Sequence, residues 1–174
     1  MRKALLVLVV VFTTLALAAP AAVAGGPYRF HVRGVDRFTM DPVTLPAGLA
    51  CPFSLRIESE GQITYWMFSD GHEATSKNFA RTLTNVETGA SIDHLSAYHA
   101  TIYHPDDGTT LETDHGSFIV VFFPGDQGPN GVVGPSGETY FMTGTAKTTF
   151  GVNGAITSFS LDGQATDVCQ LLSS

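Results

Sequence analysis

Basic residues are scarce in this chain: nine Lys and Arg stand against sixteen Asp and Glu in 174 residues, a formal charge of −7. Such a balance has no electrostatic pull on phosphate backbones or anionic lipid, which argues against nucleic acid or a membrane surface as the main partner. Charged residues of both signs make up only 14% of the chain and apolar residues 44%. That is not the composition of a disordered segment. Cysteine occurs twice, with no C-x-x-C pair. After residue 24 no window carries a convincing helical period, and no apolar run reaches the ~18–20 residues that span a bilayer. A defensible internal repeat is also missing, which speaks against a propeller or solenoid.

What is present begins with an export pattern over residues 1–24. Met1, Arg2 and Lys3 form a positive start, residues 4–17 are apolar apart from Thr13 and Thr14, and Ala22-Val23-Ala24 is an A-x-A cleavage site. The expected division is a signal peptide at 1–24, cleavage between Ala24 and Gly25, and one domain over 25–174, a normal single-domain length. Cleavage removes Arg2 and Lys3 and takes the formal charge to −9. The chain is therefore expected outside the cell, with no membrane attachment after cleavage.

In that compartment an even number of cysteines implies a bridge, here Cys51 to Cys169 across 118 residues. Loop-closure arithmetic values such a bridge at about 4–5 kcal/mol. A reactive pair is the alternative, but neither cysteine has the basic neighbours that lower a thiol pKa.

The rest of the chain alternates at period 2. Cys51, Phe53, Leu55 and Ile57 share one face of a strand, and Pro52, Ser54, Arg56 and Glu58 the other. Gly61, Asp70-Gly71, Thr88-Gly89, Pro105-Asp106-Asp107-Gly108, His115-Gly116 and Asn153-Gly154 read as turns. Residues 118–123, Phe-Ile-Val-Val-Phe-Phe, are apolar on both faces and predict a strand covered on both sides or lining an apolar cavity. Residues 124–137 hold five Gly and three Pro and predict a long loop with no strand and little burial. Strands follow at 138–150, 155–161 and 163–168. The sum is an all-β antiparallel meander of about nine to eleven short strands, closed as a small barrel or, alternatively, stacked as a two-sheet sandwich.

Several motifs group the chain with other sequences. They are Cys51-Pro52-Phe53, the Thr-Asn-x-x-Thr-Gly from Thr84 to Gly89, the Phe-Phe-Pro-Gly-Asp from Phe122 to Asp126, and the ending Phe-Ser-Leu-x-Gly-x-x-x-Asp-x-Cys from Phe159 to Cys169. In these the chain resembles a set of small secreted, functionally uncharacterised proteins of actinomycete-type bacteria. The resemblance implies export and a fold, not an activity. In architecture alone the meander is similar to barrels of the lipocalin, allene-oxide-cyclase and dirigent type, and architecture does not fix function.

Chemistry-bearing patterns are sparse. The six histidines, His31, His72, His94, His99, His104 and His115, show no ligand spacing, although His94, Tyr98 and His104 share a parity and leave a composite site across strands open. Asp106-Asp107-Gly108 lacks the rest of a calcium loop. No G-x-S-x-G elbow and no phosphate-cradling glycine motif occurs. Glu58 and Glu60 share a strand face beside Gly61 and are expected in water. Aromatic residues recur at one parity on their strands: Trp66 and Phe68, Phe118 and Phe122, Tyr140 and Phe150 with Met142. They either fill the core or line a pocket for a small apolar molecule.

The sequence thus points to a secreted, non-catalytic β-barrel protein with no cofactor and no metal, whose partner is a small apolar ligand held by Trp66, Phe68, Phe118, Phe122, Tyr140 and Phe150. Two alternatives are a small barrel enzyme of the cyclase or isomerase type and a solid-cored extracellular interaction module. An enzyme requires an inward ionisable group with a perturbed pKa beside a cavity. A solid-cored module requires a filled interior and exposed apolar surface.

Overall fold

The structure, a computed structural model, describes residues 28–30, 38–68 and 71–173. The expected signal peptide, its Ala24–Gly25 cleavage site and His31 lie outside those residues, as does Asp70 of one expected turn. Ten strands and one short helix are formed among the described residues. They are β1 (Tyr28–Phe30), β2 (Phe38–Leu45), β3 (Leu55–Met67), β4 (Glu73–Asn85), β5 (Ser91–Tyr103), β6 (Thr110–Phe122), β7 (Gln127–Gly128), β8 (Gly131–Val132), β9 (Glu138–Phe150), β10 (Ile156–Asp167) and α1 (Val168–Leu171).

Every pairing among the described residues is antiparallel. The main sheet runs β1-β3-β4-β5-β6-β9-β10, with β2 beside β1 on the outer edge of β3, and β7–β8 form a separate hairpin. Among the described residues no pairing joins β10 back to β3, so strand pairing does not close the sheet into a ring.

β3, β4, β5 and β6 are longer than expected, thirteen residues each, while β9 spans the 138–150 expected of it. Three glycines expected at or between strand ends instead lie inside strands. Gly61 sits in β3 opposite Phe79, Gly116 in β6 opposite Tyr98 and Gly144, and Gly163 in β10 opposite Gly144. The turns at Thr88-Gly89, Asp107-Gly108 and Asn153-Gly154 do form, each on a glycine with φ near +80°. The Asp107 carboxylate accepts from the Thr109 amide and hydroxyl, and Asn153 accepts from the Ala155 amide.

The row Gly116–Gly144–Gly163 explains the shape of the β6–β9–β10 half. Phe122 lies in register with Glu138 of β9, and Phe159 with Thr148. Ten residues of flat strand would separate those positions by about 33 Å. The two rings meet edge-on with centroids 4.9 Å apart. The sheet therefore folds back on itself between them, and the glycine row crosses all three strands at the bend. Gly116 and Gly144 hold φ of +131° and +126°, and a Cβ on either would strike the backbone of the neighbouring strand.

Inside the bend lies one core: Phe118, Phe122, Val133, Tyr140, Met142, Ala146 and Ile156, flanked by Phe150, Phe159 and Leu161. A second core gathers Ala50, Cys51, Leu55, Leu83, Val168, Cys169 and Leu172, with Ile92, Ile119, Val121 and Phe141 against it. Phe118 and Phe122 serve the first core while Ile119 and Val121 serve the second, so β6 is covered on both sides, as its two-faced apolar run predicted. The second core exists because β5 and β6 part company. Their pairing spans Ala97↔Ser117 to Tyr103↔Leu111 and stops there. Beyond it, Ile92 and Leu83 face Ile119, Val121 and Phe141 as two layers.

The expected bridge is formed: Cys51 and Cys169 are bonded, with Cα atoms 5.4 Å apart. Cys169 lies on α1, which begins at Val168, the expected last residue of the final strand. The Asp167 side chain caps that helix by accepting from the Gln170 amide. Asn85 joins the same end from β4, donating to the Leu172 carbonyl while its oxygen holds the Glu87 and Thr88 amides.

The Gly/Pro-rich stretch 124–137 departs from its expectation in two ways. It contains the β7–β8 hairpin, and it is anchored. The buried Asp126 carboxylate accepts from the Phe123 amide at 2.8 Å and from the Ile156 amide at 2.9 Å, and Val133 is buried in the first core. Glycine and proline predicted the irregular backbone, and Asp126 and Val133 supply the burial that composition does not reveal.

Candidate functional site

The six aromatic residues singled out by parity are not brought to one place. Phe118, Phe122, Tyr140 and Phe150 share the first core. Phe118 is 2% exposed and Phe122 fully buried. Tyr98 tilts against Phe118, and Tyr140 meets Phe122 edge-on. Trp66 lies far along β3, opposite Ala74, and Phe68 stacks on His72 at the β3–β4 connection. Five of the six rings thus pack in the first core or stack on a neighbour, and Trp66 stands apart, half-buried on β3.

An open concavity lies elsewhere, a groove of about 700 Å³ over β2, β3, β4 and β5 that none of the six aromatics lines. The register explains its make-up. Glu58, Thr82 and Asp93 form one row across β3–β4–β5, and Glu60, Ala80 and Leu95 the next row on that face. Pro42 of β2 closes one end. Ser59, Arg81 and His94 form the row between, with side chains on the opposite face, and contribute their backbone. Leu95 is 69% exposed. Asp93 accepts from the Thr82 hydroxyl at 2.7 Å, and Arg56 pairs with Glu58 at 2.8 Å. The groove therefore offers an exposed leucine, Ala80 and Pro42 within a rim of three carboxylates.

Beneath the groove, His94 enters the layer where β5 and β6 diverge. Its ring stacks on Phe141 with centroids 4.3 Å apart, and its Nε2 lies 3.3 Å from the Ser117 hydroxyl. Burial, then the nearby Arg81, lowers its pKa and favours the neutral ring. Arg81 covers Phe79 and donates to the Ser96 hydroxyl. Ser117 and His94 resemble the nucleophile and base of a triad, but the charged group that acts on this imidazole is the Arg81 cation, which opposes its protonation where a triad carboxylate would favour it.

A second polar group occupies the concave face of β4–β5–β6. Thr75, Ala100, Asp114 and Ala146 form one row across β4, β5, β6 and β9. Asp114 is 8% exposed and its Oδ1 has no hydrogen-bond partner, and neither has the Thr75 hydroxyl. Over this row Lys77 reaches Glu112 at 3.8 Å and lies 5.0 Å from the Tyr98 ring centre. The Asp114 pKa is pushed up to about 7, chiefly by burial and then by the Glu112 carboxylate, with Lys77 opposing. At the outer end of the face Glu73 accepts from Tyr65 and lies 3.7 Å from His104. That bond and burial raise the Tyr65 pKa to about 12.

His94 and His104 stand at opposite ends of β5 and do not join. Among the described residues no group of three or more His, Cys, Asp or Glu side chains is arranged to hold a metal ion. Asp114 was missed because His115-Gly116 reads as a turn, which removes its neighbours from any strand. The groove was missed because its floor is built from three strands, and only the pairing register assembles it. No family model, no curated protein and no solved structure matches the chain.

Proposed function

We propose that the chain is an exported, non-catalytic interaction module with a solid core, which binds its partner through the groove on β2–β5. The observation that carries this reading is the contrast between the packed Phe118–Phe122 core and the 69% exposed Leu95 on the groove floor. Export is supported by the 1–24 pattern and by the Cys51–Cys169 bridge, which belongs to an oxidising compartment. With Glu58, Glu60 and Asp93 around Leu95, the partner presents a positive charge beside an apolar group. On this reading the sheet stays open at β10 rather than closing into the small barrel that the sequence suggests.

The test is binding of a peptide of alternating Lys and Leu by the exported chain, set against uptake of a neutral apolar dye. Peptide binding abolished by Leu95→Asp, with the fold intact, supports the module. Uptake of one dye per chain that ignores Leu95→Asp overturns it and restores the carrier reading. The enzyme alternative retains one favourable observation, the inward Asp114 with its raised pKa.

A further inference from the structure

The outer edge of β10 is unevenly protected. At its start the edge is closed: the Ile156 amide is taken by Asp126, and β7 lies against β10. At its end α1 begins at Val168. Between them, residues 160–166 pair with β9 on one side only among the described residues. Six of these seven are exposed, Leu161 alone being half-buried. A strand edge with open amides and carbonyls is a template for another strand.

Whatever pairs there has to follow the bend. Gly116, Gly144 and Gly163 lie in one row, and Cβ atoms at these positions would run into the backbone of an adjacent strand. In every pair along this row at least one member is a glycine: Tyr98 of β5 meets Gly116, and glycine meets glycine across β6–β9 and β9–β10. The open window 160–166 is centred on Gly163 itself.

We propose that the occupant is a second copy of this chain, with the two β10 strands antiparallel and Gly163 opposite Gly163. The glycine row then continues through both copies. In this register Leu161 faces Ala165 of the second copy on the concave side, apolar against apolar. On the other side Ser160 faces Thr166, and Asp162 faces Gln164. Each polar side chain meets one that can hydrogen-bond to it, and no acid faces an acid directly. The two Asp162 carboxylates lie on a diagonal, about 7–8 Å apart by the spacing of such pairs. Seven residues of edge make a small contact, so the dimer is weak and dynamic.

The register dictates a test with a sign. Gln164→Lys sets a cation opposite Asp162 in both symmetric contacts. Gln164→Asp sets like charges there. Gln164 is exposed, so neither change disturbs the fold. Sedimentation equilibrium of the exported chain from about 1 µM to about 1 mM reads the dimer constant. Two exposed cross-strand charge pairs move it by about three- to tenfold, tighter for Lys and weaker for Asp. Val152→Lys, on a remote exposed turn, controls for the change in net charge. A chain that stays monomeric throughout, with Gln164→Lys also monomeric, overturns the proposal. So does a dimer whose constant responds equally to Gln164→Lys and Val152→Lys.

Discussion

Gly144 faces Gly163 across the β9–β10 pair so closely that a Cβ on Gly144 would strike the Asp162 carbonyl, and one on Gly163 the Thr143 carbonyl. The closeness is what lets the sheet double back and bring Phe122 onto Phe159. Gly144→Ala keeps the residue small and yet forces the two strands apart, at a φ of +126° that alanine resists. The expected cost is about 3 kcal/mol or more. Urea unfolding followed by the fluorescence of Trp66 measures it. A loss under about 1 kcal/mol, or the gain of about 0.5–1 kcal/mol that alanine ordinarily brings over glycine in a strand interior, would show that the bend does not depend on this row.

The bridge between Cys51 and Cys169 closes 118 residues and ties the entry of β3 to α1. Thiol titration of the unfolded, unreduced chain is expected to find no free thiol. Replacing both cysteines by alanine is expected to cost about 2–5 kcal/mol, in line with other native bridges. The loss should exceed that of any single alanine exchange among exposed residues.

Asp126 ties the loop 124–137 to the start of β10 through the Ile156 amide and closes it on the Phe123 amide. Asp126→Ala leaves both amides buried without acceptors and is expected to cost about 2–4 kcal/mol. Replacing 127–136 by a short turn is expected to destabilise as well, because Val133 leaves the core. A deletion variant as stable as the parent in urea would mean that this stretch is the slack connection its composition suggests.

Much of this architecture is legible in the sequence. Period-2 alternation marks the strands, the two-faced run 118–123 marks the doubly covered one, and the cysteine pair marks the bridge. Gly61, Gly116 and Gly163 mislead because a glycine reads the same whether it reverses a chain or lets a strand bend. Only the pairing shows that Gly116, Gly144 and Gly163 stand abreast. The groove and the Asp114 cluster are hidden for the same reason. Asp93, Thr82 and Glu58 are far apart in sequence and become neighbours only through the β3–β4–β5 register. Parity places Phe118 and Phe122 on one face correctly, but whether a face lines a cavity or fills it depends on the bend.

Asp114 makes the stability of the fold depend on pH in a direction opposite to that of an ordinary paired carboxylate. Its pKa rises from 3.8 to about 7, chiefly because it is buried and then because Glu112 on the same strand is negative, while Lys77 from β4 opposes the rise. The folded chain therefore keeps a proton that the unfolded chain releases near pH 4. Between about pH 4 and about pH 7 the folded state binds more protons, so stability falls as pH rises through that window and levels off above it. His94 acts the other way. Its pKa is lowered by burial and by Arg81, so the unfolded state takes up a proton below pH 6.5 that the folded state resists, and stability from this residue rises with pH up to that point. The measured curve mixes both, and Asp114→Asn separates them. The amide keeps the size and the hydrogen-bonding capacity but never ionises. In this variant the fall between pH 4 and pH 7 is expected to vanish and the rise from His94 to remain, leaving the variant more stable than the parent at pH 8. The urea midpoint, taken at intervals from pH 4 to pH 8.5, reads the difference. Parallel curves for the parent and Asp114→Asn would show that Asp114 ionises like an exposed carboxylate.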